Sequence, residues 1–256
     1  MVGIVAVDIG NSSIKLALAG QSEQGICRLE DGFAANEIAE FVSASGSKNL
    51  RWFVCSVNRQ AYQKLVTAVE SLYPDSTIVE LTHEHVPLKI NIDEPSKAGI
   101  DRLVAAWAAR GSFEDDTLIV VDAGTAVTVD VVQKDQFSGG LIFPGPTTSL
   151  AALGSQAEAL PDLANSWNEF ADHDMQNIDI GKDSEPAILL GVHQHFFCGL
   201  QSLVNRLALQ HPGSKVICTG GILNRCRGLV DSEWIFVESL VLDGVSSIAR
   251  LQTSDK

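Results

Sequence analysis

The sequence predicts an α/β fold with mixed sheets flanked by helices, built as two related halves. Three observations carry that expectation. Apolar, strand-like runs alternate with stretches of helical period along the chain, two of those runs open the same strand–polar turn–strand pattern, and the two copies lie nearly half the chain apart. A repeat that long means two related halves rather than a solenoid, whose period is ~20 to 50 residues. The length of 256 residues accommodates this, with 45% hydrophobic and 20% charged residues, values typical of a compact globular protein.

Residues 3–7 form a short apolar run suited to a buried strand. A polar turn follows, Asp8-Ile9-Gly10-Asn11-Ser12-Ser13, and then Ile14, Leu16 and Leu18 alternate with polar or small residues as a second strand does. Residues 52–57 read as a strand, 61–72 as a helix, 76–81 as a strand and 101–109 as an Ala- and Leu-rich helix. The boundary between halves falls near 111–116, dividing the chain into 1–114 and 115–256. The second half repeats the opening: an apolar run at 118–121, the turn Asp122-Ala123-Gly124-Thr125, then Val127, Val129 and Val131 in alternation. Residues 139–146 read as a Gly/Pro turn region, 150–160 as a helix ended by Pro161, and 185–210 as a long helix closed by His211-Pro212-Gly213. Residues 215–218 form a strand leading into Thr219-Gly220-Gly221, and 155–182 carry no assignable pattern.

Several function classes fall away on composition. Eighteen Lys and Arg against 32 Asp and Glu give a formal charge of −14, with no basic cluster longer than 225–227, so nucleic acid is not an expected partner. Apolar runs such as 118–121 fall far short of the ~20 residues of a membrane span. The first seven residues lack the basic segment of a secretory signal, and a cytoplasmic protein is expected. Five cysteines, an odd number without a CxxC pair, are expected to be reduced and buried. Of the paired histidines, His83 with His85 and His193 with His195, the second pair precedes Phe196 and Phe197 and is read as helical and structural.

The first turn has the parts of a phosphate cradle: Gly10 to let the backbone approach an anion, hydroxyls at Ser12 and Ser13, and Lys15 beyond. Asp, Gly and Asn also make ordinary hairpin turns. Neither GxxxxGK[ST] nor GxGxxG occurs. A second Asp-x-Gly-hydroxyl turn tips the balance, because two such hairpins could hold a polyphosphate between them. Asp8 and Asp122 would be carboxylates at strand ends, suited to water-mediated Mg²⁺ or direct monovalent cation contact. Thr125 would offer a hydroxyl and an N–H to phosphate, and Thr219-Gly220-Gly221 a bare backbone for a nucleoside.

The ordered motifs DIGNSSIK (8–15), GIDR (99–102), DAGTAVTVD (122–130), GGLIFPG (139–145) and TGG (219–221) closely resemble the type III pantothenate kinases. Segments 157–161 and 180–191 resemble that family's later signatures, so the resemblance covers nearly the whole chain. It implies two ribonuclease H-like halves with an ATP cleft between them, as in the acetate and sugar kinase, heat-shock chaperone and actin superfamily. It further implies ATP-dependent phosphorylation of pantothenate to 4′-phosphopantothenate, the first step of coenzyme A biosynthesis, by a homodimer using Mg²⁺ with K⁺ or NH₄⁺. Under it, Asp8, Ile9, Gly10, Asn11, Ser12, Ser13, Ile14 and Lys15 line the ATP phosphates, Thr125 contacts ATP and Asp122 binds the monovalent cation. Gly99, Ile100, Asp101, Arg102 and Ser184 bind pantothenate, with Asp101 as the base that takes the hydroxyl proton. Asp101 could also serve as an N-cap or first-turn charge on its helix, although the base role is favoured, and Arg102 could pair within the fold rather than with the pantothenate carboxylate.

Two positions depart from the family pattern. Ile92 stands where the family usually carries a Tyr over the pantothenate, and Ser184 where it usually has Thr. Ile92 keeps open a kinase of the same fold for another small hydroxyl substrate. A nucleotide-binding regulator without turnover is a third reading, opposed by the presence of Asp8, Asp101 and Asp122.

Overall fold

A computed structural model describes residues 3–18, 24–28, 35–43, 46, 49–171 and 180–254. Its contacts divide the chain into two compact units, Met1–Ser112 with Ser239–Lys256, and Phe113–Glu238.

The first unit runs β1 (Gly3–Ile9), β2 (Ser13–Leu18), β3 (Gln24–Arg28), α1 (Ala35–Ser43), β4 (Leu50–Ser56), α2 (Arg59–Leu72), β5 (Thr77–Glu80), the two-residue β6 (Lys89–Ile90) and α3 (Ile100–Ser112). Strands β1 to β5 form one sheet, ordered β3-β2-β1-β4-β5. β1 to β3 form an antiparallel meander, while β4 and β5 join parallel to β1. Side chains alternate across the sheet. Val5, Val7 and Ile9 share one face with Ile14, Leu16, Leu18, Trp52 and Val54, against Ile38 and Val42 of α1 and Ala61, Leu65 and Val69 of α2. Those helix residues recur every four positions, the apolar stripe of an amphipathic helix. Asn58 caps α2 by accepting from the Ala61 N–H at 3.0 Å. The opposite face, carrying Ala6, Asp8, Phe53 and Cys55, takes α3 and the last helix, α8 (Leu240–Ser254).

The second unit runs β7 (Thr117–Ala123), β8 (Ala126–Gln133), β9 (Gln136–Pro144), α4 (Pro146–Gln156), α5 (Trp167–Phe170), α6 (Ser184–Gln210), β10 (Lys215–Thr219), α7 (Gly221–Arg225) and β11 (Ile235–Phe236). Within it the strands are ordered β11-β10-β7-β8-β9, with β7 to β9 antiparallel and β10 and β11 parallel to β7. Strand for strand this is the plan of the first unit, so the repeated hairpin does mark a repeated fold. One face buries Ile119, Val121, Val127 and Val129 against Leu150 of α4, Trp167 of α5, and Phe196, Phe197, Leu200 and Val204 of α6. By length and composition α6 could cross a membrane. Here those four residues build the core of the unit, and Gln201, Asn205 and Arg206 interrupt its apolar surface.

Three features differ from the expectation. Residues 139–144 are not a turn but the second part of β9. Gly139 has φ +94° and a bulge lies opposite at Asp130/Val132, where any Cβ on Gly140 would stand 2.3 Å from the Val129 carbonyl and the Asp130 carboxylate. The glycines there permit a close strand crossing rather than a reversal. The helix expected over 150–160 begins at Pro146, a residue suited to a first helical position, and ends at Gln156. Ser239–Lys256 group with the first unit, whereas a division at 114/115 leaves them in the second. α8 approaches α3 at Gly244, whose missing side chain leaves room for the Val104 carbonyl; a Cβ there would stand 2.4 Å from it.

Candidate active site

Ile9 and Ile14 pair directly across the first hairpin and are wholly buried, so the turn between them is fixed at both ends by the core. The Gly10 N–H donates to the Ser13 carbonyl at 3.0 Å and the Val57 N–H to the Ile9 carbonyl at 3.0 Å. Asn11 and Ser12 stand exposed at the tip. Asp8 and Lys15 are cross-strand partners, hence on one face at the ~4.5 to 5.5 Å Cβ spacing of such pairs. Asp8 is buried and lies in register with Cys55 on the neighbouring parallel strand.

Asp101 sits in the first turn of α3, which packs on β4. One carboxylate oxygen, Oδ1, accepts the Arg102 N–H at 2.9 Å. A Cβ on Gly99 would stand 2.6 Å from that same oxygen, so Gly99 leaves the space the carboxylate occupies. Burial raises the Asp101 pKa, opposed by the Arg102 N–H and guanidinium. The Cys55 thiol is pushed well above its ordinary value by burial first, then by the charges of Asp8 and Asp101. The two carboxylates that the sequence assigned to phosphate and to proton abstraction therefore both act through their charge on one buried thiol. That link was not legible in the sequence, since only strand register puts Cys55 beside Asp8.

In the second unit Ala123 and Val127 pair across the hairpin, both fully buried. The Gly124 N–H donates to the Ala126 carbonyl at 3.1 Å, the counterpart of the Gly10 bond. Two glycines from other motifs rest against this turn. A Cβ on Gly145 would stand 2.2 Å from the Gly124 carbonyl, and one on Gly220 within 2.5 Å of the Ala123 backbone and of Asp122 Oδ1. Gly220 has φ +93° and ψ 150°, a backbone region essentially restricted to glycine. The TGG turn is thus built against the Asp122 hairpin. Gly220 serves that packing, whereas Gly221 has no atom within 4 Å of a would-be Cβ and is the glycine with open space. The Thr125 carbonyl accepts from the Gly145 N–H at 3.0 Å and from Thr148 Oγ1 at 2.6 Å, and Thr125 itself is exposed.

Ser184 belongs to another element, as the exposed first residue of α6. Gly181, three residues before it, folds onto the α6 start, where its Cβ would stand 2.3 Å from the Ala187 nitrogen. Ile92 is half-buried. His193 is buried, with Nε2 3.3 Å from the Ala171 carbonyl and its ring among Trp167, Phe170 and Phe197, while His195 faces outward, as the helical reading requires. Cys55, Cys218 and Cys226 are buried free thiols and Cys198 an exposed one; the Cys27 side chain lies outside the described residues. Among the described residues no group of three or more His, Cys, Asp or Glu could hold a metal ion.

The chain resembles known proteins along most of its length. A family profile described as type III pantothenate kinase matches residues 4–206. A type III pantothenate kinase of Desulfovibrio desulfuricans is 33% identical over 237 residues, covering 85% of this chain and 85% of its own length. One from Sulfurihydrogenibium is 27% identical over 256 residues, covering 94% and 97%. Among solved structures, a conserved candidate Baf family transcriptional activator from Campylobacter jejuni superposes with a TM-score of 0.56 at 20% identity, covering 98% of this chain and 99% of its own, which establishes a shared fold. The motif order, the repeated mixed sheet and the length over which these relatives align lead to one assignment: the chain belongs to the type III pantothenate kinase family.

Proposed function

We propose that this protein transfers the γ-phosphoryl group of ATP to the hydroxyl of pantothenate, giving 4′-phosphopantothenate and ADP, the first step of coenzyme A biosynthesis in the cytoplasm. Membership of the family supports the reaction, and the Asp101 geometry carries the mechanism. Phosphoryl transfer is chiefly positioning and charge stabilisation. Asp101 is a partly buried carboxylate with a raised pKa, its Oδ1 held by the Arg102 N–H. A carboxylate so raised is a stronger base toward an alcohol than one at the ordinary value. As the pantothenate oxygen bonds to the γ-phosphorus, the bond from that phosphorus to the bridging oxygen of ADP breaks, and the alcohol proton passes to Asp101. Gly99, Ile100 and Arg102 surround the base and would hold pantothenate, Arg102 toward its carboxylate and Ser184 by its hydroxyl.

Asp8 through Lys15 would receive the ATP phosphates, with the turn N–H groups and Lys15 offsetting their charge and Thr125 contributing from the second hairpin. A divalent cation, Mg²⁺, would enter as a partner of ATP, since Mg²⁺ commonly keeps several waters beside one or two carboxylates. When bound it would neutralise developing charge on the phosphates, and Asp8 is the carboxylate that would meet its waters. Asp122 would take K⁺ or NH₄⁺ through its carboxylate, whose Oδ1 lies, like the Ala123 carbonyl, against Gly220. A homodimer is the proposed assembly.

Asp101→Asn tests the base directly. It should retain ATP binding and lower kcat by ~10² or more, within the range positioned bases contribute. A near-parental kcat would remove Asp101 from the mechanism.

A further inference from the structure

The second phosphate turn is held from outside its own hairpin. Thr125 lies in the three-residue loop between Ala123 and Val127, and its carbonyl is the meeting point of two donors from the start of α4, the Gly145 N–H and Thr148 Oγ1. The Thr148 bond is the shorter, at 2.6 Å. Gly145 is the N-cap of α4 and Thr148 its third helical residue. Leu150 anchors the same helix in the core, fully buried with Val127 and Val129. The peptide plane joining Thr125 to Ala126 is therefore tied to a helix and not only to a loop, which restricts the orientation of the Thr125 Cα and the side chain it carries.

We infer that Thr148 is a positioning residue for ATP: its hydroxyl, with the Gly145 N–H, sets the orientation of Thr125 and so the geometry of the contact Thr125 makes with nucleotide. This rests on the proposed role of Thr125. Thr148 need not touch the ligand. Gly145 cannot carry the task alone, because one N–H leaves the peptide free to pivot about that bond, while two donors on one carbonyl define its direction. A bond to the loop tip should be worth little to global folding and more to binding, since it orders a group that the ligand must otherwise order for itself.

The test uses full-length protein with Thr148→Val, which keeps the shape and removes the hydroxyl, Thr148→Ser, which restores it, and Thr148→Ala should the valine variant fail to fold. Steady-state ATP and pantothenate KM values, kcat and thermal midpoints are measured for each, beside Thr125→Ala. Thr148→Val should raise the ATP KM about 3- to 10-fold, the range of one hydrogen bond, with the pantothenate KM unchanged and the serine variant near parental. A purely structural role would instead lower the thermal midpoint and leave both KM values alone. If Thr125→Ala raises the ATP KM while Thr148→Val does not, or if serine fails to rescue, the positioning role is wrong and the Thr125 contact stands. If Thr125→Ala leaves the ATP KM unchanged, both are overturned.

Discussion

Gly220→Ala offers the sharpest structural perturbation of the second phosphate hairpin. The added Cβ would stand 2.4 Å from the Ala123 carbonyl, 2.5 Å from the Ala123 nitrogen and 2.5 Å from Asp122 Oδ1. A carboxylate oxygen can swing aside, but the two backbone atoms cannot move without the hairpin. The backbone at φ +93° and ψ 150° adds a conformational penalty of ~1 to 3 kcal/mol for a residue with a side chain. Overpacking of a tight contact adds ~1 to 3 kcal/mol, so the substitution should destabilise by about 2 to 6 kcal/mol. That is a large part of the ~5 to 15 kcal/mol that holds a typical protein folded. Urea unfolding followed by tryptophan fluorescence would show a lowered midpoint, and the surviving folded protein a raised ATP KM, because Asp122 and Thr125 share the displaced turn. Gly221→Ala is the control: with nothing within 4 Å of its Cβ, its midpoint should stay level or rise slightly. An unchanged midpoint and ATP KM in Gly220→Ala would refute the packing of the TGG turn on the Asp122 hairpin.

Other consequences follow from the roles assigned. Burial raises the Asp101 pKa above its ordinary 3.8, so the folded protein holds that proton more tightly than the unfolded chain. The associated stability is present below 3.8 and is lost as pH rises through the folded pKa. Asp101→Asn should therefore be as stable as the parent or more so at pH 7, with the gain vanishing near pH 4 in urea midpoints taken across pH; a gain that grows toward acid would contradict a carboxylate whose pKa is raised by partial burial. Asp122→Ala should abolish activation by K⁺, measured as the ratio of rates in K⁺ and Na⁺ buffers, and a persisting ratio would place the cation elsewhere. Ile92→Tyr should lower the pantothenate KM by supplying the ring the family usually carries, whereas an unchanged KM would show that no ring is needed at this half-buried position.

Much of this was legible from local pattern. The buried Ile9–Ile14 and Ala123–Val127 pairs follow from apolar alternation around two polar turns, and the matching strand order of the units follows from their repetition. What sequence missed depends on contacts between distant residues. β9 was hidden because Gly139, Gly140 and Pro144 look like a turn until Asp130 is seen opposite Gly140. α8 carries no local sign that Gly244 will meet Val104 in the first unit. Cys55 could be called buried, but its place beside Asp8 needs the parallel register of β1 and β4. Thr148 looks like any hydroxyl in a helix start, and only the fold brings it to Thr125.

The most direct measurement is ATP consumption with and without pantothenate, in K⁺ and in Na⁺ buffers, with mass detection of the product. Pantothenate-dependent ADP formation that requires K⁺, with 4′-phosphopantothenate as product and its loss in Asp101→Asn, is the expected result. ATP turnover indifferent to pantothenate, or ATP binding without any turnover, would contradict the assignment.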